Sequence, residues 1–513
     1  MRSILLASAA IFVGTAAVAE AQTPANPSQG QLAAPYGAGP ASNNNNNAWG
    51  VANTPSGGAA AGPLSTIYAP NVIAVPTPGT IVIHLNGRVE ADISANFTSV
   101  DKGLNANGTP NGYKLNPVGI GSYVRLYPGF DGLAANGLRY GASVELRQNF
   151  FAPTTGTTNG GATGGDASPG GNASSETIYV RRVFSYLALD RAGLVRIGQT
   201  DGVLGLFDNC VFTSGCWDAG GGVFSGGGSV QTAPSGVLPP FVWLTQNGVE
   251  YGNNKIVYLT PQFYGFDFGV QYAPNQGNSF SNASTASPIQ STTCTQAGPN
   301  CTNVSSGNDP TRWINQVAVG LRFQRLFGAV DFKTYGFYET AGKEDLTTAA
   351  YVRPSPTASA TALRYDNLSF YKAGIAVTAF SVTAALDYIG GAVNGALAER
   401  PSGGASTNAV LTGLTYVHGP LVLGTSFGII DSQGDARLAG VSQRHEYEVA
   451  FGGNYKLAPG VQLVAEYQYA HRHQGGYDFN QGALGTATRS GAAGSSTRDA
   501  QYQGLTFATV LTW

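Results

Sequence analysis

The sequence predicts an all-β fold, a transmembrane antiparallel β-barrel of about sixteen strands with long external loops. Three observations support this prediction. Segments of about nine to seventeen residues alternate apolar and polar side chains, which is typical of strands. The connections between these segments are short and long in turn. The N-terminus has the pattern of an export signal, and no later run of about eighteen apolar residues could form a membrane-spanning helix.

The composition of the 513-residue chain is unlike that of a set of soluble domains. Charged residues make up 11%, against roughly 25% in ordinary soluble proteins. The 71 glycines follow no collagen period. The formal net charge is -2, so nothing in the charge balance attracts nucleic acid, and we expect no nucleic-acid partner.

The first element, residues 1–21, is predicted to be a signal peptide. Arg2 is the charged start, and an apolar core runs from Ile4 to Val18. The cleavage site is Ala19-Glu20-Ala21, with Ala17-Val18-Ala19 as an alternative. A membrane anchor helix is the weaker interpretation, because the apolar run is too short to span a bilayer. The chain is therefore expected to be exported.

The second element, residues 22–79, is a low-complexity stretch rich in Pro, Ala, Gly and Asn. It has almost no charge and no periodicity, so we expect a disordered periplasmic extension. A specific partner-binding arm is the alternative, but the composition gives it little support. The third element, residues 80–513, is predicted to be the barrel domain.

The barrel prediction begins at the segment Ile81–Phe97. Its odd positions are apolar or Gly, and nearly all its even positions are polar or charged. A sheet can cross lipid only if it closes on itself, because every backbone N–H and C=O must be paired within the protein. The apolar side is then expected to face lipid and the polar side to line the lumen. A barrel of sixteen strands is too wide for side chains to fill, so water would fill it.

The same alternation recurs along the chain. Further strands are predicted at Leu138–Phe150 and near Asn315–Gln324. Other predicted outward faces are Tyr371, Ala373, Ile375 and Val377; Val382, Ala384, Leu386 and Tyr388; Val461, Leu463, Ala465, Tyr467 and Tyr469; and Leu505, Phe507, Leu511 and Trp513. A secreted sandwich or solenoid would also alternate, but its strands would be shorter, and no repeat of fixed period is present.

The connections have two distinct compositions. Turn residues mark the short ones, at Tyr264-Gly265, Arg325–Gly328, His418-Gly419-Pro420 and Ala458-Pro459-Gly460. The long ones are polar and Gly-rich, at about 151–176, 201–246, 274–313, 340–366, 393–408, 431–442 and 471–500. Tight periplasmic turns that alternate with long external loops are typical of outer-membrane barrels.

The four cysteines fall into two close pairs in Gly- and Ser-rich sequence. They are Cys210, Cys216, Cys294 and Cys301. Their spacings do not match the two-residue gap of zinc or redox motifs. Two short local disulfides are the favoured interpretation for an exported chain. Crossed pairing stays open.

Three stretches resemble the general-porin family of Gram-negative bacteria, especially its trimeric proteobacterial members. NGVEY at 247–251 and KIVYLTPQFYGFDFGVQY at 255–272 resemble the strand–turn–strand pattern of that family. LVRIGQTDG at 194–202 resembles the strand that enters the third loop, but Gln199 stands where the family usually has Arg. TFATVLTW at 506–513 resembles the terminal strand, with Trp513 in place of the commoner Phe.

The resemblance covers about residues 80–513 and leaves the extension outside. It implies a sixteen-stranded barrel, a homotrimer, passive diffusion of small hydrophilic solutes, and a third loop that folds inward and narrows the barrel. It also implies a location in the outer membrane, in contact with its lipid and lipopolysaccharide. The aromatic C-terminal end, with Phe507, Leu511 and Trp513, is the signal that the barrel-assembly machinery reads in that family.

Size exclusion and fixed charge would select solutes in such a channel. The predicted wall residues are Arg88, Glu90, Asp92, Arg139, Glu145, Arg147 and Arg196, of which Arg196, like Arg125 and Arg182, is less securely inward. The third loop adds Asp201, Asp208 and Asp218. An acidic loop opposite a basic wall would create a transverse field at the narrowest point. The alternative is that these side chains are merely solvated in a wide lumen.

Catalysis and cofactor binding find little support in the sequence. His471 and His473 share a strand face and could bind a metal, but no third ligand is evident, so the base of an external loop is the favoured interpretation. Glu446 and Glu448 share a face, as lumen carboxylates do. No GxSxG motif, phosphate loop or dinucleotide fingerprint is present. We expect no enzyme, no cofactor and no metal.

Three functions are consistent with this sequence. A general diffusion channel for ions and small hydrophilic solutes is the leading hypothesis. A substrate-selective channel for sugars or organic anions would need an aromatic ladder or dense Arg and Lys, and no clear ladder is seen. An envelope-anchoring or adhesive barrel would act through residues 22–79.

Overall fold

A computed structural model shows the chain as an all-β protein. The structure describes residues 77–98, 102–104, 110–114, 117–149, 177–189, 192–200, 202–207, 254–261, 263–275, 313–343, 352–353, 361–362, 366–394, 400, 402–434, 442–458, 460–475 and 499–513. The predicted signal peptide, nearly all of the predicted extension and the four cysteines lie outside these residues. No helix in the described part of the chain is long and apolar enough to cross a membrane.

The strands follow one another along the whole barrel domain. They are β1 (Thr80–Thr98), β2 (Lys102–Leu104), β3 (Pro110–Lys114), β4 (Val118–Leu133), β5 (Arg139–Asn149), β6 (Thr177–Leu189), β7 (Gly193–Gln199), β8 (Asn254–Leu259), β9 (Phe266–Asn275), β10 (Trp313–Phe327), β11 (Val330–Lys343), β12 (Val352–Arg353), β13 (Thr361–Ala362), β14 (Leu368–Ala379), β15 (Val382–Ala392), β16 (Thr407–His418), β17 (Leu421–Ser432), β18 (Arg444–Ala458), β19 (Val461–Gln474) and β20 (Asp499–Thr512). A short helix, α1 (Val203–Phe207), lies between β7 and β8.

Sixteen of these strands close into one antiparallel barrel. Each pairs with its neighbours along the chain, and β1 pairs with both β4 and β20 to close the ring. The other four form two small hairpins, β2–β3 and β12–β13, inside long connections. Closure leaves no unpaired sheet edge, which is what a sheet in lipid requires. The predicted fold and strand number are confirmed.

The two faces of the wall alternate as predicted. In β14, Tyr371 and Ile375 are exposed on the outer face, whereas Lys372 and Ala376 are buried on the inner face. The outward faces predicted for β10, β15, β19 and β20 are also exposed or half-exposed. In β1 the odd positions Ile81, Ile83 and Leu85 are exposed. The apolar side of each strand is therefore the outer surface of the barrel.

The predicted short turns all join neighbouring strands. Tyr264 and Gly265 have φ angles of 51° and 94°, and Gly328, Gly419 and Gly460 have φ between 55° and 74°. These left-handed angles match the twist of hairpin turns, and glycine adopts them without strain. The long connections lie at the opposite end of the barrel, which is the external end by the usual rule for outer-membrane barrels.

Three tight turns are absent from the sequence prediction, namely those between β4 and β5, β6 and β7, and β14 and β15. The third of them contains no glycine or asparagine. Phe380 and Ser381 join β14 to β15 with φ angles of 50° and 65°. A left-handed backbone costs an ordinary residue roughly 1–2 kcal/mol. The turn is imposed by the paired strands on either side, not by its own residues.

Replacing Ser381 with glycine should therefore stabilise the barrel, by up to about 1 kcal/mol in the free energy of unfolding. Denaturant titration of the folded protein in detergent measures this change. Gly328→Ala is the matched reverse control, since an added Cβ there meets no atom within 4 Å and only the φ of 63° opposes it. A stabilising effect of Gly328→Ala would contradict the strain argument.

The C-terminal residue lies at the seam where the first and last strands meet. Trp513 exchanges two backbone hydrogen bonds of 3.2 Å with Gly87. Its indole ring covers Gly87, where an added Cβ would come within 2.1 Å of the ring. An aromatic side chain that covers a glycine on the next strand helps to fix register. Phe507, Leu511 and Trp513 are all exposed on the outer face of β20, and their role in assembly stays a prediction.

Candidate functional site

The short helix α1 lies inside the barrel, against the inner wall. It follows β7 in the third long connection and packs against β9, β10 and β11. Its side chains Val203, Leu204, Leu206 and Phe207 are all buried. The described part of the third connection therefore turns inward, as the resemblance implied.

Two glycines create the space that α1 occupies. Gly269 of β9 and Gly320 of β10 are paired residues on neighbouring strands, and both face inward. A Cβ on Gly320 would lie 2.6 Å from Val203 Cγ1 and 2.9 Å from Phe207 Cδ2. A Cβ on Gly269 would lie 2.9 Å from the same Val203 atom. The missing side chains thus leave a hollow in the wall, which Val203 and Phe207 fill.

A buried ion pair holds the C-terminal end of α1. Arg322 of β10 and Asp267 of β9 are directly paired across the strands, and their side chains are 7% and 0% exposed. The guanidinium bonds both carboxylate oxygens, with Nε 3.0 Å from Oδ1. Arg322 also lies over the ring of Phe207, 4.9 Å from its centroid, and its Nη1 is 3.5 Å from the carbonyl oxygen of Leu206. A bidentate pair fixes the orientation of the arginine, so this contact positions the helix end.

A side-chain amide holds the other end of the helix. The backbone N–H of Val203 donates to Oε1 of Gln271, at 2.6 Å. Gln271 is buried on the inner face of β9, two residues beyond Gly269 on the same strand. The first N–H groups of a helix have no partner within the helix, so this bond satisfies one of them. The inner wall thus contacts α1 at its start, its middle and its end.

Beyond α1 the inner wall is more apolar than simple alternation predicts. Several large inward side chains join the residues of α1 in one buried cluster, and these are Tyr335, Phe337, Leu368, Phe370, Ile389, Leu411 and Ile430. The expectation that the inner face is lined by polar side chains and water is therefore wrong for this sector. The physical reason is that these side chains form one cluster with the residues of α1, and side chains that meet protein need not be polar.

Charges in the same sector occur as local pairs. Lys372 and Asp387 form an ion pair of 3.5 Å with both side chains 0% exposed, and the ammonium of Lys372 lies 5.4 Å from the ring centroid of Tyr335. Lys333 and Asp331 form a second pair at 3.5 Å. Together with Arg322 and Asp267, these pairs leave this side of the lumen close to neutral.

The inner face of β18 and β19 has three glutamates against two arginines, Arg444 and Arg472, and we call it the acidic sector. Glu446, Glu448 and Glu466 are buried on the inner face of these strands. Glu446 forms an ion pair with Arg472, whose Nε is 2.9 Å from Oε1, and Glu466 accepts a hydrogen bond from Gln468. That Glu446 and Glu448 share a face follows from their spacing in the sequence, whereas their position opposite a basic wall does not.

A basic sector lies on the other side of the barrel. Arg196 of β7 and Lys255 of β8 are buried on the inner face, and Arg196 lies 5.1 Å from the ring centroid of Phe184. In the ring of sixteen, β8 is eight strands from β18, so the two sectors face each other across the lumen. The wall itself therefore has opposite charges on opposite sides.

The remaining predicted wall residues lie on β1, β4 and β5, between the two sectors in the ring of strands. Arg88, Arg125 and Arg147 lie in register across β1, β4 and β5. Arg139 is half-buried on β5, and Glu145 is buried on the same strand, paired with Arg182. Glu90 and Asp92 lie on β1 at the same parity as Arg88. Asp201, Asp208 and Asp218 lie outside the described residues, so their place opposite these arginines stays a prediction.

The comparison with known families decides the assignment. A sequence model described as Gram-negative porin matches residues 7–476. The chain belongs to the Gram-negative porin family. This porin is accordingly an outer-membrane channel of a Gram-negative bacterium, through which ions and small hydrophilic solutes diffuse passively. The substrate-selective and adhesive alternatives are not favoured.

Several solved structures are similar to this porin at low identity. OmpT of Vibrio cholerae, in its trimer form, is 13% identical over 84% of this chain and 99% of its own, with a TM-score of 0.44. An anion-selective porin from Comamonas acidovorans is 14% identical over 85% of this chain and 100% of its own, with a TM-score of 0.43. A mutant Rh. blastica porin is 11% identical over 84% of this chain and 100% of its own, with a TM-score of 0.41. At these values the similarities add nothing to the assignment. No curated protein matches the sequence significantly.

The residues that sequence analysis missed are those that hold α1. Gly269, Gln271, Asp267 and Arg322 lie on two strands far from the third loop in sequence. The available signal was the apolar run Val203–Phe207 inside a polar, Gly-rich loop, which needs an apolar surface to bury it. Among the described residues, no group of three or more His, Cys, Asp or Glu could hold a metal ion.

Proposed function

We propose that α1 and the third connection narrow the channel, and that the opposed charges of the wall set its ion selectivity. The observation that supports this proposal is the seating of α1 in the Gly269–Gly320 hollow, with its four apolar side chains buried. A segment held on the inner wall reduces the open cross-section at its level. The predicted acids Asp201, Asp208 and Asp218 belong to the same connection, and we propose that they stand opposite the arginines of the wall.

The electric fields of both charged sectors would act on ions that pass between them. Glu448 on β18 and Lys255 on β8 stand on opposite walls and are both nearly fully buried. Charges in a low-dielectric wall act over longer distances than solvated ones. Cations are therefore expected to pass closer to β18 and β19, and anions closer to β7 and β8.

Removing a charge from the acidic sector should favour anions, and removing a charge from the basic sector should favour cations. Glu448→Gln should lower the permeability of K⁺ relative to Cl⁻, because it removes a negative charge from the acidic wall. Lys255→Gln should raise the same ratio. Reversal potentials across planar bilayers in a KCl gradient measure both changes. Ser426→Ala, an uncharged change on the inner face of β17, is the control. Two charge variants with the ratio of the wild type would refute the proposed selectivity.

We also propose that this porin is a homotrimer that contacts its partners through β1 and β4–β7. Large exposed side chains on the outer face of these strands are aliphatic except for Phe97, and include Ile83, Ile120 and Ile178. Elsewhere the outer face has exposed tyrosines near the external end, at Tyr272, Tyr338, Tyr371 and Tyr447. Tyrosine is enriched where a wall meets lipid headgroups. Among the described residues of β1 and β4–β7, no tyrosine is exposed near the external end, and such a sector is better suited to contact with protein.

A bulky side chain in this sector should break the trimer. Ala142 of β5 is half-buried on the outer face and leaves room for close approach of a neighbour. Ala142→Trp should give monomers in light-scattering measurements of the detergent-solubilised protein. Ala384→Trp on β15, in the tyrosine-bearing sector, is the matched control and should leave the trimer intact. A monomeric wild type, or a trimeric Ala142→Trp variant, would count against this interface.

Further proposals depend on sequence patterns alone. We propose export through the signal peptide 1–21, a periplasmic extension at 22–79 before the barrel domain 80–513, and local disulfides Cys210–Cys216 and Cys294–Cys301. The exposed C-terminal side chains Phe507, Leu511 and Trp513 are proposed to be read by the barrel-assembly machinery, and the outer face to contact lipid and lipopolysaccharide. The porin family is a family of channels without enzymatic activity, and we propose the same for this chain.

A further inference from the structure

Four polar side chains form a row on the outer face of the barrel, across its last four strands. Asp431 pairs with His445, His445 with His473, and His473 with Asp499. The row lies at the external ends of β17, β18, β19 and β20. With His471, which lies on the same face of β19, it contains three of the five histidines in the chain. We call this set of five residues the rim cluster.

Each histidine of the row is oriented by a carboxylate. Nδ1 of His445 is 2.6 Å from Oδ1 of Asp431, and Nδ1 of His473 is 2.8 Å from Oδ1 of Asp499. Asp499 also contacts Nε2 of His471, at 3.4 Å. His445 and His473 are about half-exposed, at 56% and 40% of their side chains. A carboxylate that accepts the Nδ1–H bond fixes the tautomer with a lone pair on Nε2, which is the form that binds metals.

The spacing of the two histidines suits a shared ion. Directly paired residues on antiparallel strands have Cβ atoms roughly 4.5–5.5 Å apart. Metal–imidazole bonds are about 2.0–2.1 Å long, so two rings that leave the wall side by side can converge on one ion. Imidazole is a preferred ligand of Zn²⁺, Cu²⁺ and Ni²⁺. Asp431 and Asp499 add negative charge, whereas Arg444 and Arg472 of the same strands are buried on the inner face.

The position of the rim cluster makes it accessible from outside the cell. Tyr447 and Tyr469 lie below it on the same outer face, with ring centroids 6.0 Å apart, and Tyr447 stacks on His471 at 5.1 Å. Tyrosines of this kind mark the level of the lipid headgroups. The row above them therefore lies at or beyond the headgroups, where an ion and its remaining oxygen ligands have access.

We propose that His445 and His473 bind a divalent transition-metal ion at the external rim, with Asp431 and Asp499 as the residues that orient them. The protein supplies two nitrogen ligands. Water or phosphate oxygens complete the shell, which agrees with the lack of a three-residue site among the described residues. The site is on the outer surface and is separate from the channel.

Cu²⁺ is the most informative probe, because its electron paramagnetic resonance spectrum reports bound nitrogens. Full-length porin in detergent, titrated with CuCl₂ at neutral pH, should bind one ion per chain and show splitting from two imidazole nitrogens. The double variant His445→Ala/His473→Ala should lose this signal. Asp431→Asn should keep the two nitrogens but weaken binding by about 10–100-fold, as expected for a residue that orients a ligand.

His418→Ala is the matched control, since His418 is an exposed outer-face histidine at the turn end of β16 and stacks on Tyr416. It should bind Cu²⁺ as the wild type does. Unchanged single-channel conductance shows that each variant is folded. A wild-type spectrum with oxygen ligands only, or an unchanged nitrogen signal in the double variant, would overturn the proposal.

Discussion

Replacing Gly320 with valine is expected to displace α1 from the wall and to raise the single-channel conductance. The first added atom would already lie 2.6 Å from Val203 and 2.9 Å from Phe207. The second obstacle is the backbone of β10, which cannot retreat because it is paired on both sides. The helix must therefore move, and the segment that narrows the lumen moves with it.

The conductance of single insertion events in planar bilayers measures this effect. Gly336→Val is the matched control, because Gly336 lies on the outer face of β11 and an added Cβ meets no atom within 4 Å. The control should conduct as the wild type does. Conductance of Gly320→Val equal to that of the control would contradict the role of α1 in narrowing the channel.

A second variant tests whether the two glycines act as one site. Gly269→Val should change conductance in the same direction, since a Cβ there lies 2.9 Å from the same Val203 atom. Overpacking costs typically about 1–3 kcal/mol, and changes that displace the same group are not additive. The double variant should therefore conduct as either single variant does. Additive increases would mean that each glycine acts separately.

The barrel itself could be predicted from the sequence because the alternation of its side chains depends only on neighbouring residues of one strand. Residues two apart on a strand meet the same solvent, so the alternation of Ile81–Phe97 indicates both the strand and its lipid-facing side. Gly265, Gly328, Gly419 and Gly460 indicate turns for the same reason, since their φ angles need no distant contact. The turn at Phe380-Ser381 was missed because the paired strands impose it.

The seat of α1 could not be predicted, because it depends on register between distant segments. Gly269 and Gly320 are separated in sequence by a long connection. The alternation of side chains does not show which residues of β9 and β10 pair across it, so the pairing of the two glycines is seen only in the folded barrel. The apolar inner residues Phe370, Ile389 and Leu411 were missed for a related reason. Alternation predicts the solvent on each side of a strand, but it cannot indicate where inward side chains pack together in one cluster with α1.

Replacing Arg322 with methionine is expected to have the largest effect on stability. The variant leaves Asp267 buried without the guanidinium that binds both its oxygens. Breaking a buried ion pair from one side typically costs about 3–5 kcal/mol, because a charge stays behind without compensation. The contacts of Arg322 with Phe207 and Leu206 are lost as well. Denaturant titration should show the lower free energy of unfolding, and conductance should rise.

Two further changes separate the stability of the wall from the anchoring of α1. Arg322→Met/Asp267→Leu removes both charges, and replacing a buried pair by apolar residues is often nearly neutral for stability. This double variant should regain most of the lost free energy of unfolding. It should still conduct more than the wild type, because the contacts of Arg322 with the ring of Phe207 and the carbonyl of Leu206 are absent. Arg322→Lys should keep the charge but lose the bidentate geometry. Its free energy of unfolding should therefore lie between that of the wild type and that of Arg322→Met. If the double variant regained both stability and wild-type conductance, Arg322 would serve the wall alone, and the helix would be held by the hollow and Gln271.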